Sequence, residues 1–556
     1  MPKEGSAYGQ LSAYGLAVLG ALGGSFAGLL VKLFKWILEL LLDLVWFELP
    51  RILDSWGWSS GSPFALYHFT WIWGGLMGAV VGGLRHFLPP ESVPTLGLWV
   101  RHLHGPRGTA PAGLWVGAVA GLGVVTVLSG AAVGPEPLVV IGPSVLFAAV
   151  VERWGHKALP LLAETPAREG EGAQLRQVVR VAALAGGAGG LAAFFGLPLA
   201  SAFMVLEVPH VDGAEFALEA LPACVVASLM GTLLGDCVWH PKQLLGNSRF
   251  WFPGSPSLSE ESAIHQRAFG LQAVLFAPCA GMVGGCAAHL LIGCIKVLHI
   301  VLHRFLGPQT RGQLAARRAA LLATVGAVNA ALGLVYPSAL FWGEEQLQVA
   351  LTRGCDGMAP SCQPVELPHW YVGLQSDFAI RASKGQPMTA WQMVGLGVVK
   401  IVMISLCEAA GFVGGTIYPV IFVAACFGSA LGSTAMVQSW GGQFVYLSTA
   451  AAMSTALAAL LNTNLFGILL VLVLQANIPD GNVSSQIIAL MTAVYTHYFL
   501  TRTTVVPYLH LLVSQKARDD VRYVPYEASS GGSENSDAEL SAGDSTDSDS
   551  EQMSSL

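Results

Sequence analysis

An all-α polytopic membrane protein is what this 556-residue sequence predicts, and three observations carry the prediction. Charged residues make up 11% of the chain, against roughly 25% in soluble domains, while apolar residues reach 53% and the mean hydropathy is +0.57. Several apolar spans exceed the ~20 residues that a helix needs to cross the hydrocarbon core of a bilayer. Glycine and proline interrupt these spans at matching places in two related halves of the chain, the mark of tilted, broken and re-entrant helices.

The elements follow in order. The first span, 11–47, comes after a few polar residues and runs far beyond the apolar stretch of a signal peptide, so it is expected to be a retained helix. Spans 68–84 and 112–133 follow, and then Glu136 and Pro137 open a new apolar run. Span 176–207 contains the break Gly196-Leu197-Pro198 and ends at Glu207; span 215–236 closes the first half. The second half has spans 269–302 and 315–335. Span 391–436 breaks at Gly414-Gly415-Thr416-Ile417-Tyr418-Pro419, span 444–476 breaks at Asn462-Thr463-Asn464, and span 485–501 comes last. Polar linkers at 155–175, 237–265 and 343–389 divide the chain as a two-half bundle requires. The expected organisation is thus a short N-terminal segment 1–10, a first membrane half with its linker 11–265, a second half 266–516, and an acidic Ser-rich tail 517–556. Much of the net charge of -7 lies in that tail, which lacks the apolar residues to form a core and is expected to be disordered. Matching breaks can also arise from ordinary glycine-rich packing faces, which membrane helices use freely.

Glu136 stands out, because no other charge lies between Arg107 and Glu152. A carboxylate in so apolar a stretch is expected to face a polar cavity, a partner or an ion path. Helices that start inside the membrane, near Pro94, Pro137 and Pro419, would aim unpaired N–H groups and the positive ends of their dipoles at whatever precedes them. Such ends bind anions. Backbone amides hold an anion weakly enough to release it again, so the expected substrate is a small inorganic anion and the expected activity is transport, not an enzymatic reaction. No basic surface suggests nucleic acid, and no cofactor is expected. The histidines show no ligand spacing, and a metal site is not expected. Six cysteines lie in apolar spans and read as small buried hydrophobes, whereas Cys355 and Cys362 share a polar loop and are close enough to form a disulfide in an oxidising compartment.

These residues resemble the CLC chloride channels and proton-coupled anion exchangers over about residues 11–512. The family's Ser-Gly-x-x-x-Gly-x-Glu-Gly-Pro motif is similar to Ser129 through Pro137, with one residue fewer between Glu136 and Pro137. Its Gly-Gly-x-Phe-x-Pro motif is similar to Gly414 through Pro419, with Ile417 in place of Phe. Pro198 to Glu207, Pro507-Tyr508-Leu509 and Lys400 ahead of Gly411 also fit the family pattern. The resemblance implies an inverted repeat, a homodimer in membrane lipid with one anion pathway per subunit, both termini in the cytosol, and chloride as the expected anion. It implies that Glu136 is a gate that occupies an anion site and swings away when protonated. It further implies that the Tyr508 hydroxyl and the amides of Ile417 and Tyr418 hold the central anion. Ser92 is the nearest match to the family's central serine, although Glu91 precedes it. An interfacial anchoring role for Tyr508 stays open.

Exchangers of the family commonly carry a second glutamate after the one matched by Glu207, and here that position is Val208. A passive channel is therefore the first expectation, a proton-coupled exchanger the second, and a non-conducting scaffold the third. Glu207 and Glu408 are the residues available for a proton path, but each has a plainer reading: Glu207 as a packing carboxylate, Glu408 as the partner of a membrane lysine such as Lys400. The tail lacks the paired nucleotide-sensing domains of many eukaryotic members, so regulation through them is not expected. Plasma membrane and endomembrane both stay open. Family topology places the loop holding Cys355 and Cys362 opposite the tail, on the non-cytosolic side. Mass spectrometry of unreduced peptides should find these two cysteines bridged, and two free thiols there would refute the pairing.

Overall fold

A computed structural model describes residues 11–56, 64–87, 99, 102–103, 112–162, 171–207, 214–237, 263–306, 311–344, 346–354, 387–440, 442–461, 463–474 and 483–500. The first half contributes α1 (Ala13–Asp43), α2 (Leu49–Ser55), α3 (Phe64–Phe87), α4 (Ala112–Leu128), α5 (Glu136–Leu162), α6 (Glu171–Phe195), α7 (Pro198–Glu207) and α8 (Ala214–Thr232). The second contributes α9 (Ala263–Leu306), α10 (Arg311–Val335), α11 (Leu347–Thr352), α12 (Ala390–Ala410), α13 (Ile417–Gly432), α14 (Ala435–Trp440), α15 (Gly442–Leu461), α16 (Asn464–Leu474) and α17 (Val483–Leu500). The chain is an all-α polytopic membrane protein. Among the described residues seven helices are long and apolar enough to cross a membrane, and shorter apolar ones such as Pro198–Glu207 and Ile417–Gly432 lie between them. Exposed tryptophans near helix ends, Trp56, Trp391 and Trp440, suit a bilayer interface.

Local chemistry sets the helix ends. Ser12 caps α1 by accepting from the Gly15 amide at 2.9 Å. Thr389 and Gln392 form a reciprocal capping box on α12, and Gly411, at φ 96°, ends that helix in the left-handed conformation that glycine adopts most readily. Gly196 (φ 70°) and Pro198 separate α6 from α7. The long expected spans are therefore divided where glycine, proline and asparagine divide the sequence. One expectation changes at the first span, where a wider π turn at Leu44–Glu48 carries the chain on into α2.

The same order of packing appears twice. In the first half α1 packs on α5, α6 and α8, while α4, α5, α6 and α7 pack in succession. In the second, α9 packs on α13 and α15 and meets α17 at Gly281 and Ala493, while α12, α13, α15 and α16 pack in succession. The halves join through α3 on α10 and α7 on α16, and Met1–Phe499 forms one compact unit. The expected boundary at 265/266 falls inside α9. Two expected linkers are partly helical: α5 runs on to Leu162 and α6 starts at Glu171, while Leu347, Ala350 and Leu351 of α11 are core residues within 343–389. Burial explains α11, because its apolar residues pack on α13 once the neighbouring polar groups have partners.

The α3–α10 crossing depends on absent side chains. A Cβ on Gly78 would strike the Leu322 carbonyl, and one on Gly326 the Gly74 carbonyl. Small residues let membrane helices approach at backbone distance. Gly326→Val should therefore lower stability by about 1–3 kcal/mol through overpacking. Gly83→Ala, whose added Cβ meets nothing within 4 Å, should be neutral or stabilising by up to about 1 kcal/mol. Thermal midpoints of the detergent-solubilised variants check both.

Candidate functional site

Two helix-to-helix turns meet face to face and build the site. α4 ends at Ser129 and Gly130 (φ 76°), and α12 ends at Gly411 (φ 96°). Four residues beyond each of these glycines the chains pair: Gly134 N–H donates to the Gly415 carbonyl at 2.7 Å, and Gly415 N–H donates to the Gly134 carbonyl at 2.7 Å. The bridge is antiparallel, so the two turns are related by a local two-fold. Two residues beyond it, α5 starts at Glu136 and α13 at Ile417. Neighbouring contacts repeat the relation. The Val413 amide donates to Thr126 Oγ1 at 3.3 Å, and at equivalent positions the Cys407 thiol meets the Ala132 backbone.

The carbonyls left at the ends of α4 and α12 are satisfied from the side. Trp46 and Trp73 both donate their indole N–H to the Leu128 carbonyl, at 3.1 and 2.9 Å. Asn329 on α10 donates to the Gly130 carbonyl at 3.0 Å and accepts from the Cys407 thiol at 3.4 Å, touching both halves. Arg85 on α3 donates to the Gly411 carbonyl at 2.5 Å. With these acceptors occupied, the groups facing the space between the turns are amides.

Glu136 fills that space. It is 3% exposed, its Oε1 accepts from the Tyr418 amide at 2.9 Å, and the Ile417 and Glu136 amides lie alongside. Its Oε2 has no hydrogen-bond partner among the described residues. The seat exists only because two residues lack side chains: a Cβ on Gly134 or on Gly415 would collide with Oε2. The Tyr418 ring, fully buried, stacks on Phe195 with centroids 4.7 Å apart and meets Phe194 edge-on at 6.0 Å. Lys35 of α1 holds this aromatic end of α6 by donating to the Phe194 carbonyl at 2.8 Å. A carboxylate on the first amides of α13 occupies the place that suits a free anion, because unpaired N–H groups and the helix dipole favour negative charge there.

The structure thus brings Glu136, Ile417 and Tyr418 together. Ile141 to Pro143 lie within α5. Ser92, Tyr508, Cys355, Cys362, Val208 and the tail lie outside the described residues. Glu207 ends α7, and its Oε2 accepts from the Phe466 amide at 2.8 Å, satisfying an N–H in the first turn of α16. The expected pairing of Glu408 with Lys400 is corrected. Lys400, 0% exposed, donates to the carbonyls of Ala339, Leu340 and Phe341 at 2.8, 3.5 and 2.5 Å, while Glu408 has Arg85 and Glu136 as its electrostatic neighbours. The physical reason is supply: the turn 337–341 presents converging carbonyls that match the three donors of an ammonium. Sequence reasoning missed Arg85, Asn329 and Trp73. Asn329 carried a signal as an amide within apolar α10, whereas the tryptophans carried none. Among the described residues no group of three or more histidine, cysteine or acidic side chains could hold a metal ion.

The family described as voltage gated chloride channel matches residues 77–502. Similar solved structures include a CLC-type fluoride/proton antiporter, at 18% identity and TM-score 0.52, covering 86% of this chain and 94% of that one. A slow cyanobacterial Cl-/H+ antiporter follows at 15% identity and TM-score 0.59, covering 91% and 99%. A eukaryotic CLC transporter gives 14% identity and TM-score 0.53, covering 87% and 71%. At these identities the likeness is one of fold. No curated protein matches the chain.

Gly415→Ala should expel the Glu136 carboxylate from the Tyr418 amide, because the new Cβ takes its place. Gly142→Ala, which meets nothing within 4 Å, should leave it seated. Cryo-EM density for the two variants tests the seat, and a carboxylate still on the amide in Gly415→Ala would refute it.

Proposed function

Because the chain belongs to the voltage gated chloride channel family, we propose that it carries small inorganic anions, chloride first, passively across a membrane through a path that the Glu136 carboxylate closes. The observation that carries the reading is the seated carboxylate at the first amides of α13. When Glu136 takes up a proton, the attraction of those amides for it falls, and an anion can replace it. Tyr418 and Ile417 then present their amides to that anion, with Tyr508 and Ser92 proposed as further ligands. The proposed assembly is a homodimer with one path in each subunit, both termini in the cytosol, in the plasma membrane or an endomembrane.

A proton-coupled exchanger is the second reading, and two similar solved structures, described as a fluoride/proton and a Cl-/H+ antiporter, favour it. Val208 weighs against it, because the position after Glu207 offers no carboxylate. Glu408 is then the residue available to pass protons towards Glu136, its electrostatic neighbour.

Liposome flux separates the readings. Glu136→Ala should keep anion flux and lose the dependence on pH that the gate supplies, since the protonatable carboxylate is removed and the amides remain. Unchanged pH dependence in that variant would overturn the gate. A chloride gradient should move no protons uphill in the wild type. Uphill movement would establish exchange, with Glu408→Gln expected to abolish it.

A further inference from the structure

The helix pair α9–α17 meets differently from its counterpart α1–α8. In the first half, Gly20, Gly24 and Gly28 of α1 lie against the backbone of Ala223, Ala227 and Gly231 of α8, with the Cβ atoms of Val226 and Leu234 beside them. In the second half Gly281 lies against the methyl group of Ala493 and the Thr455 hydroxyl of α15, and one turn further a ring fills the gap. A Cβ on Gly285 would collide with Cδ2 and Nε2 of His497. His497 stacks on His289 of α9, with ring centroids 5.3 Å apart and planes inclined by 26°. The Nε2 atoms of both rings are buried and have no hydrogen-bond partner among the described residues.

An imidazole with an unused ring nitrogen can accept a proton, but a buried cation needs a counter-charge nearby. Among the described residues none acts on this pair. The charged groups that act on it are Lys296, on His289, and each histidine on the other. Helices α13 and α15, packed on α9, carry no Asp, Glu, Lys, Arg or His, only Tyr418, Cys426 and Tyr446, and α17 adds Tyr495 and Tyr498 to His497. Helix α12 brings Lys400, bound to the carbonyls of 339–341, and Glu408, beside Arg85; α10 brings Arg317 and Arg318. Among the described residues, a proton on either ring would therefore gain no counter-charge.

We propose that His289 and His497 form a proton-operated wedge between α9 and α17, closed while both rings are neutral and stacked, and opened when either takes a proton. Displacement of α9 has a route to the anion site. Gly284 of α9 lies against the Ala452 backbone of α15, and Gly428 of α13 lies against the backbone of Thr449 and Ser448 on α15. Helix α13 is the one whose first amides seat Glu136. The wedge adds a second acid response, separate from the gate, to the transport reading on which its functional meaning rests.

Hydrogen–deuterium exchange of residues 483–500 in lipid nanodiscs, corrected for intrinsic rates, tests it without any anion present. As pH falls from about 8 to about 5, the range in which histidine changes charge, wild-type protection should drop by about tenfold. His497→Phe and His289→Phe should each remove the drop, while Glu136→Ala should retain it. Protection independent of pH in the wild type, or an unchanged drop in the phenylalanine variants, would overturn the wedge and leave the gate untouched. Should His497→Phe not fold, His289→Phe and His289→Gln decide alone.

Discussion

Backbone groups freed by a broken helix in an apolar interior must find partners, and the whole centre of this protein follows from how two such breaks satisfy each other. Each unpaired N–H or C=O in hydrocarbon costs several kcal/mol. Gly134 and Gly415 remove that cost by exchanging a donor and an acceptor. The exchange brings the starts of α5 and α13 side by side, so the unpaired amides of α13 and the carboxylate of Glu136 share one small space. Side chains could not intervene: a methyl group on either glycine would occupy the same volume. The bridge, the seat and the two-fold relation of the halves are consequences of one packing solution.

Buried charge is handled by the same means. Lys400 is solvated by the carbonyls of a turn, Arg85 by the carbonyl that ends α12, and Glu136 by amides that start α13. Peptide dipoles hold each of these charges directly, although Arg85 also has Glu408 as an electrostatic neighbour. A carboxylate held by amides can be exchanged for another anion, whereas one locked to an arginine fork would be far harder to displace. The Lys400 cage differs in purpose. It ties α12 to the turn that follows α10, and through Phe341 N–H to the Gly130 carbonyl it reaches the end of α4.

Much of this was legible in the residues. A single carboxylate in a long uncharged stretch, beside glycine and proline, marked Glu136, and the matching break at Gly414 to Pro419 marked the helix start that receives it. Helix divisions at Gly196-Pro198 and Asn462-Asn464 were also legible, because local conformational preference decides them. What could not be read depended on distant partners. Nothing near Lys400 announces that carbonyls some sixty residues earlier will hold it, so a carboxylate eight residues on looked like its partner. Glu344-Glu345 gave the segment after residue 343 the look of a surface linker, yet Trp342 donates to Glu344 at 2.8 Å and the apolar residues that follow are buried. Polar composition signals exposure only while each polar group lacks an internal partner.

The pairing of Gly134 with Gly415 also sets a timetable for biosynthesis. A ribosome adding about 5–20 residues per second completes the first turn well before it has made the second. For an interval on the order of tens of seconds, the nascent first half must keep the N–H and C=O of Gly134 in contact with water, lipid headgroups or an insertion machinery. The α4–α5 turn cannot settle at its final depth until residue 415 has emerged. Premature release of a chain truncated within the second half should therefore strand a hydrated turn in the bilayer, a feature that quality control can recognise.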